Sequence, residues 1–392
     1  MGTESHYQRE MLNQWSTEVQ LLLLCGRSSL NDEQIQRVRA CVERDLDWER
    51  LIYLAGGHGL VSLLHKNLQL ACPNEIPQPY RERLSAAAMK ISARNLLLAT
   101  ELLGLLDLFE ANGISVIPYK GPALAIQAYR NLRLRGFIDL DILIRRKDLD
   151  RVRDLIATLG YKPKIELTAA KQRAIFRSEC DQVFTRSDGK IILEVHWAIT
   201  PPFFSFALDA DKLFERNVRM DLLGKDVRAL SLEDLLLILC VNGTKDIWGR
   251  LEISCCVAEL LRDNPQLRWT EMLAEARRLG AERMLLLGLY LARDLFQAPL
   301  PQVVTDRLGR LPKLRTMAQK VYRLMFDNPE QQPTLFELTM FRLRCRERLR
   351  DRLNYCVRRV LTPTYRDVEI LQLPSSFEFL YPLLRPLKLI RR

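Results

Sequence analysis

The sequence predicts an α+β protein, with a small mixed-sheet core embedded in mainly helical N- and C-terminal regions. Three observations carry this. From Glu10 to about Gly113 apolar residues recur at three and four; between 114 and 200 the period drops to two; from Ser231 the helical spacing returns. Four stretches follow from these switches: a helical region over 1–113, an α/β core over 114–200, a helical domain packing on it over 201–300, and a basic helical region with its tail over 301–392.

In the first region "EMLNQWSTEVQLLLLC", "NDEQIQRVRACVERDLDWERLIYLA", "LVSLLHKNLQLA" and the long "YRERLSAAAMKISARNLLLATELLGLLDLFEANG" each keep an apolar face. Asn112-Gly113 closes the last of them. The core opens with a strand-like "ISVIPYK", and "GPALAIQAYRNL" then starts a helix with a proline suited to its first turn. A second strand, "FIDLDILI", leads to an amphipathic helix ending at Gly160. "CDQVFTR" and "KIILEVHWAI" form a hairpin across "SDGK". Further on, Ser231 caps a helix with Asp234 three residues later, resembling a capping box with Asp in place of Glu. Pro299 and Pro301 end the helical series, and the prolines of the tail argue against a long regular helix there.

Composition narrows the function classes. A chain of 392 residues with 48% hydrophobic residues is globular, neither disordered nor fibrous. No run is long and apolar enough to span a membrane, and the start lacks the basic and apolar regions of a signal peptide, so a cytoplasmic protein is expected. Nine cysteines without C-x-x-C spacing, mostly in apolar helical contexts, read as reduced and buried. Four histidines and no paired Cys/His signature argue against a structural zinc site. From Phe341 to Arg392 there are 13 basic and 5 acidic residues, so most of the net charge of +11 lies at the C-terminus. The alternating arginines 342 to 352 suit nucleic acid or an anionic surface, or else a solvated helix packing by its aliphatic stems.

The chemistry is concentrated in "RLRGFIDLDILIRR". In a strand, alternate residues share a face, so Ile138, Leu140, Ile142 and Ile144 take one side while Asp139 and Asp141 take the other. Alone, this reads as a half-buried strand with a polar face. "IILEVHWAI" adds a third acid: Glu194 and His196 share one face, and Leu193, Val195 and Trp197 the other. Carboxylates converging without neutralising lysines call for a divalent cation, and hard oxygen donors select Mg²⁺ or Mn²⁺ over zinc. The reaction implied is phosphoryl or nucleotidyl transfer. Lys120 and Gly121, opening the helix after the first strand, suit a phosphate.

Together, "YKGPALAIQAY", "RLRGFIDLDILI" and "ILEVHWAI" resemble the uncharacterised bacterial nucleotidyltransferase family of the DNA polymerase beta-like superfamily. The ending "LTPTYRDVEILQLP" through "YPLLRPLKL" is also similar, so the resemblance covers most of the chain. It implies that Lys120 and Gly121 form the phosphate loop, Asp139 and Asp141 the metal pair, and Glu194 the third acid. The implied ligands are an NTP, ATP among them, and an acceptor hydroxyl on RNA, protein or a small molecule.

This chain departs from the pattern in having Lys-Gly where the superfamily commonly has Gly-Ser. It also has Asn242 and Cys256 near positions where relatives tend to carry His and Asp. Arg135 is a further candidate for a phosphate, and His196 for orienting a carboxylate or the substrate. Lys245 and Trp248 are weaker candidates for the cleft, and Trp197 reads as core. The rival reading is a non-catalytic binding module that retains the fold and uses the basic C-terminus. A kinase-like enzyme lacks support, since no Walker A loop is present.

Overall fold

In the computed structural model, residues 15–165, 176–327 and 333–362 are described. Most of the tail that contributes to the resemblance lies outside them. The chain begins with α1 (Thr17–Cys25), α2 (Asp32–Val42), α3 (Trp48–His58), α4 (Val61–Ala71) and the 34-residue α5 (Gln78–Ala111). At 1.5 Å per residue α5 extends about 50 Å. Its early residue Leu84 joins the core of the helical layer, whereas Leu98, Leu102, Leu105 and Phe109 lie against the sheet.

The sheet elements follow: β1 (Val116–Pro118), α6 (Gly121–Tyr129), β2 (Leu140–Ile144), α7 (Leu149–Thr158), β3 (Tyr161–Pro163), β4 (Asp181–Arg186) and β5 (Ile192–His196). The strands stand in the order β1-β2-β5-β4-β3, and the β2–β5 pair alone is parallel. Next come α8 (Ala210–Glu215) and a hairpin of β6 (Val218–Leu222) and β7 (Lys225–Ala229). The helices α9 (Leu232–Lys245), α10 (Leu251–Asp263), α11 (Trp269–Arg278), α12 (Glu282–Phe296), α13 (Gln302–Gly309), α14 (Lys313–Tyr322), α15 (Leu335–Arg344) and α16 (Leu349–Leu361) complete the described chain.

Several expectations change. Strand β2 begins at Leu140, so Ile138 precedes it and is 64% exposed instead of joining the apolar face. The carboxylate face is not solvated either: Leu143, two residues beyond Asp141, is fully buried in the helical layer's core with Ile117 and Tyr119. Leu140, Ile142, Leu193, Val195 and Trp197 fill the core on the other side. Both faces are therefore covered, as expected where helices pack on each side of a sheet. The stretch read as helical after residue 200 contains the β6–β7 hairpin, whose turn has Leu223 and Gly224 both at positive φ. Leucine is a poor marker for such a turn.

The C-terminal arginines do not line one continuous helix, because α15 stops before Cys345 and α16 starts at Leu349. Arg342 donates to the Lys245 carbonyl, Arg348 to those of Arg277 and Arg278, and Arg352 to that of Arg346. Arg346 is buried between the rings of Phe204 and Tyr355, at 4.7 and 4.2 Å, and donates to the carbonyls of Arg342 and Phe204. These four guanidinium groups satisfy helix ends and loops. Trp248 is likewise structural, fully buried where a Cβ on Gly243 or Gly288 would come within 2.7 Å of its ring. No helix of the described residues is long and apolar enough to cross a membrane. Eight cysteines are buried and Cys356 is exposed.

His58 ties α3 to the second half of the chain. Its Nδ1 accepts the Leu251 N–H, its ring also bonds the Met325 backbone, and burial pushes its pKa down to about 4. The unfolded chain therefore takes up a proton near pH 6.5 that the folded chain refuses until about pH 4. Stability contributed above pH 6.5 should fall across that window by about 3 kcal/mol. Urea unfolding at pH 7.5 and 4.5 measures it, and His58→Gln should remove this part of the pH dependence.

Candidate active site

The site begins with a register. Strands β2 and β5 run parallel with Asp141 directly beside Glu194 and Leu143 beside His196. Neighbouring residues across a ladder point to the same face, so Asp141, Glu194 and His196 emerge together. His196 Nε2 lies 3.2 Å from Asp141 Oδ1 and 3.3 Å from Glu194 Oε2. On the far side of β5, Asp181 stands opposite His196. Asp139 comes just before the strand and is half-buried.

The loop opening α6 is stitched to this strand. The Tyr119 N–H bonds the Asp141 carbonyl, and Gly121 takes φ +49 with its Cα against the Asp139 backbone. A Cβ there would meet the Asp139 carbonyl oxygen at 3.2 Å, so glycine answers both the positive φ and the close approach. Lys120 caps the helix by position, and its side chain turns to the acids: Nζ lies 2.8 Å from Asp141 Oδ1. The expectation of carboxylates without a neutralising lysine is therefore overturned. Asp141 is 3% exposed and Lys120 29%, with Glu194 at 27%, so the cluster opens to solvent on the Lys120 and Glu194 side.

Electrostatics divides the acids. Burial and the neighbouring charges of Asp141 and Glu194 push Asp139 up to about 6. Burial would also raise Asp141, but the Lys120 and His196 cations outweigh it and hold its carboxyl well below the usual range. Burial opposes a charge on His196, and its contacts with Tyr119, Asp141, Cys180 and Glu194 more than reverse that. Lys120 is likewise held charged by Asp141 in spite of its burial. The Tyr119 ring stands edge-on to His196 at 5.3 Å, and its buried hydroxyl is pushed up to about 12.

Arg135 is engaged by a carboxylate of the helical layer. It forms an ion pair at 2.6 Å with Glu252 on α10, and its guanidinium is also hydrogen-bonded to the Cys256 thiol. Its loop is held by Asn95, which donates to the carbonyls of Leu132 and Arg135. The Cys256 thiol lies against Arg135 and 3.6 Å from the Tyr129 hydroxyl. Glu252, one helical turn earlier, supplies the carboxylate.

Sequence reasoning brought together Asp139, Asp141, Glu194, His196, Lys120 and Gly121. It missed Tyr119, Asp181, Cys180 and Glu252. Tyr119 was readable, since it shares a strand face with Ile117. Counting back along the hairpin from "SDGK" places Asp181 opposite His196. Among the described residues, two groups could hold a metal ion, each with ligand atoms within 4.8 Å of one another: Asp141, Glu194 and His196, and Cys180, Asp181 and His196. The second is a Cys/His grouping invisible to spacing rules, because pairing of β4 with β5 creates it.

Carboxylates on a rigid sheet beside a glycine-opened helix suit the transfer of a phosphorylated group. Residues 44–297 match the model of the family described as uncharacterised nucleotidyltransferase, and the chain belongs to that family. No curated protein matches it.

The buried Arg135–Glu252 pair yields a prediction. Glu252→Gln leaves the guanidinium without its carboxylate, an expected loss of about 3 to 5 kcal/mol. The double replacement Arg135→Met/Glu252→Leu should recover most of it. Equal losses in urea unfolding of the single and double variants would show that the pair is not the cause.

Proposed function

We propose that the protein is a metal-dependent nucleotidyltransferase of the DNA polymerase beta-like kind, moving an NMP from an NTP to a hydroxyl acceptor and releasing pyrophosphate. The observation that carries the reading is the side-by-side placement of Asp141 and Glu194 on adjacent parallel strands, with Asp139 just before the same strand. The donor set fits a hard divalent cation: carboxylate oxygens dominate, two of them within 4.8 Å of the His196 ring nitrogen. Burial, and then repulsion from Asp141 and Glu194, raises Asp139, and such a cation would relieve the repulsion.

In this reading Asp139, Asp141 and Glu194 hold Mg²⁺ or Mn²⁺, which neutralises the phosphate oxygens and lowers the pKa of the attacking hydroxyl. Gly121 and Lys120 bind the triphosphate at the start of α6. His196 orients the Asp141 and Glu194 carboxylates through its Nε2. Arg135, paired with Glu252, positions the loop that leads into Asp139. The acceptor is a hydroxyl on RNA, protein or a small molecule, and the protein acts in the cytoplasm.

The test is Mg²⁺-dependent pyrophosphate release with each of the four NTPs in the presence of cell lysate. Asp139→Asn/Asp141→Asn should lower release by about 10³-fold or more, since several kcal/mol of charge stabilisation are lost. Equal release by wild type and variant would overturn the assignment. Binding to nucleic acid or anionic vesicles with steep salt dependence, but without NTP binding or release, would favour the non-catalytic module.

A further inference from the structure

Asp141 Oδ1 is an unusually crowded acceptor. It takes the Lys120 ammonium at 2.8 Å and faces His196 Nε2 at 3.2 Å, inside a pocket where its own side chain is 3% exposed. Two cationic groups therefore occupy the oxygen that a divalent ion needs. His196 is fixed in place, since it is a strand residue, buried, and edge-on to Tyr119. Lys120 is not fixed in the same way. Its side chain is 29% exposed, it ends in four rotatable methylenes, and it departs from the first residue of a helix entrance.

We propose that Lys120 is the resident counter-ion of this site and is exchanged between two anions, the Asp141 carboxylate when no divalent cation is present and the triphosphate of the nucleotide when one is. The inference rests on the metal-dependent reading above. No bond is made or broken; one ion pair replaces another. A divalent cation and the ammonium compete for Asp141 Oδ1, because like charges on one buried oxygen repel strongly at low dielectric. The released ammonium stays beside the N-terminus of α6, where Gly121 keeps the backbone open to an anion. Phosphate oxygens that receive Lys120 draw it away from Asp141, and so favour the cation. Cation and triphosphate consequently bind with positive coupling, each strengthening the other by the same factor.

The positive charge of Lys120 is what this arrangement requires at the helix entrance. A neutral residue could contact a phosphate, but it could not balance Asp141 in the resting protein. The buried carboxylate would then face His196 alone.

The test measures Mn²⁺ bound to the full chain by equilibrium dialysis, with inorganic triphosphate either absent or present at the same concentration on both sides of the membrane. Wild type should bind Mn²⁺ more tightly when triphosphate is present. Lys120→Met should bind Mn²⁺ alone about tenfold more tightly than wild type, and triphosphate should improve it by a smaller factor than it improves wild type. Lys120→Arg should behave like wild type without triphosphate.

Wild type that binds Mn²⁺ while Lys120→Met binds it equally or more weakly would overturn the exchange and leave the metal reading standing. Absence of Mn²⁺ binding by wild type with or without triphosphate would sink both. A measurement on wild type alone covers a variant that fails to fold. Acylation of Lys120, followed by mass spectrometry, should rise with Mn²⁺ and fall again when triphosphate is added. Labelling that ignores Mn²⁺ would refute the competition.

Discussion

The parallel pairing of β2 with β5 is the constraint on which the rest of this protein depends. Parallel neighbours cannot be joined by a tight turn. The chain between them must leave the sheet, and here it does so through α7 and then returns by way of β3 and β4. The detour sets Asp141 beside Glu194, and it places β4 on the far side of β5, which brings Asp181 and Cys180 to His196. A shift of one residue in this register would send Glu194 and His196 into the apolar core occupied by Leu193 and Val195. The hydrophobic pattern of β5 thus enforces the position of the polar groups.

Burial on both faces then makes charge balance the governing problem. Asp141 is enclosed on the side that packs against the helical layer, and a lone carboxylate there would be driven towards its neutral form. Lys120 and His196 keep it ionised, while burial and the charges of Asp141 and Glu194 push Asp139 up to about 6. Asp139 and Asp141 part ways because only Asp141 has cationic partners strong enough to outweigh its burial. Arg135 meets the same problem from the opposite sign and finds its partner on α10.

Alternation made much of this legible. Counting by two assigned Asp141, Glu194 and His196 to polar faces and Leu193, Val195 and Trp197 to the core, and the Lys-Gly before Pro122 marked the entrance to α6. Periodicity says which residues share a face, however, and nothing about what covers it. Ile138 was counted into a strand that had not begun, and the covering of the carboxylate face by Tyr119 and Leu143 was hidden for the same reason. The partner of Arg135 lies on a helix far along the chain, so no local spacing could reveal it. The C-terminal arginines show the same limit of counting. Charge counting treats an arginine as a surface group, whereas Arg342 and Arg346 are used up on carbonyls and aromatic rings inside the fold.

The link between Arg135 and Glu252 has a consequence for inheritance. The sheet resembles a unit that could be copied and grafted onto new partners, yet its entrance loop carries a buried cation whose anion belongs to the helical layer, and Tyr129 leans on Cys255 of the same helix. A recombination event that cut the gene between β5 and α10 would separate each residue from its mate. The segment shared with the family, 44–297, keeps both halves together. The sheet and α10 therefore depend on each other, and moving one without the other would leave a buried ion unpaired.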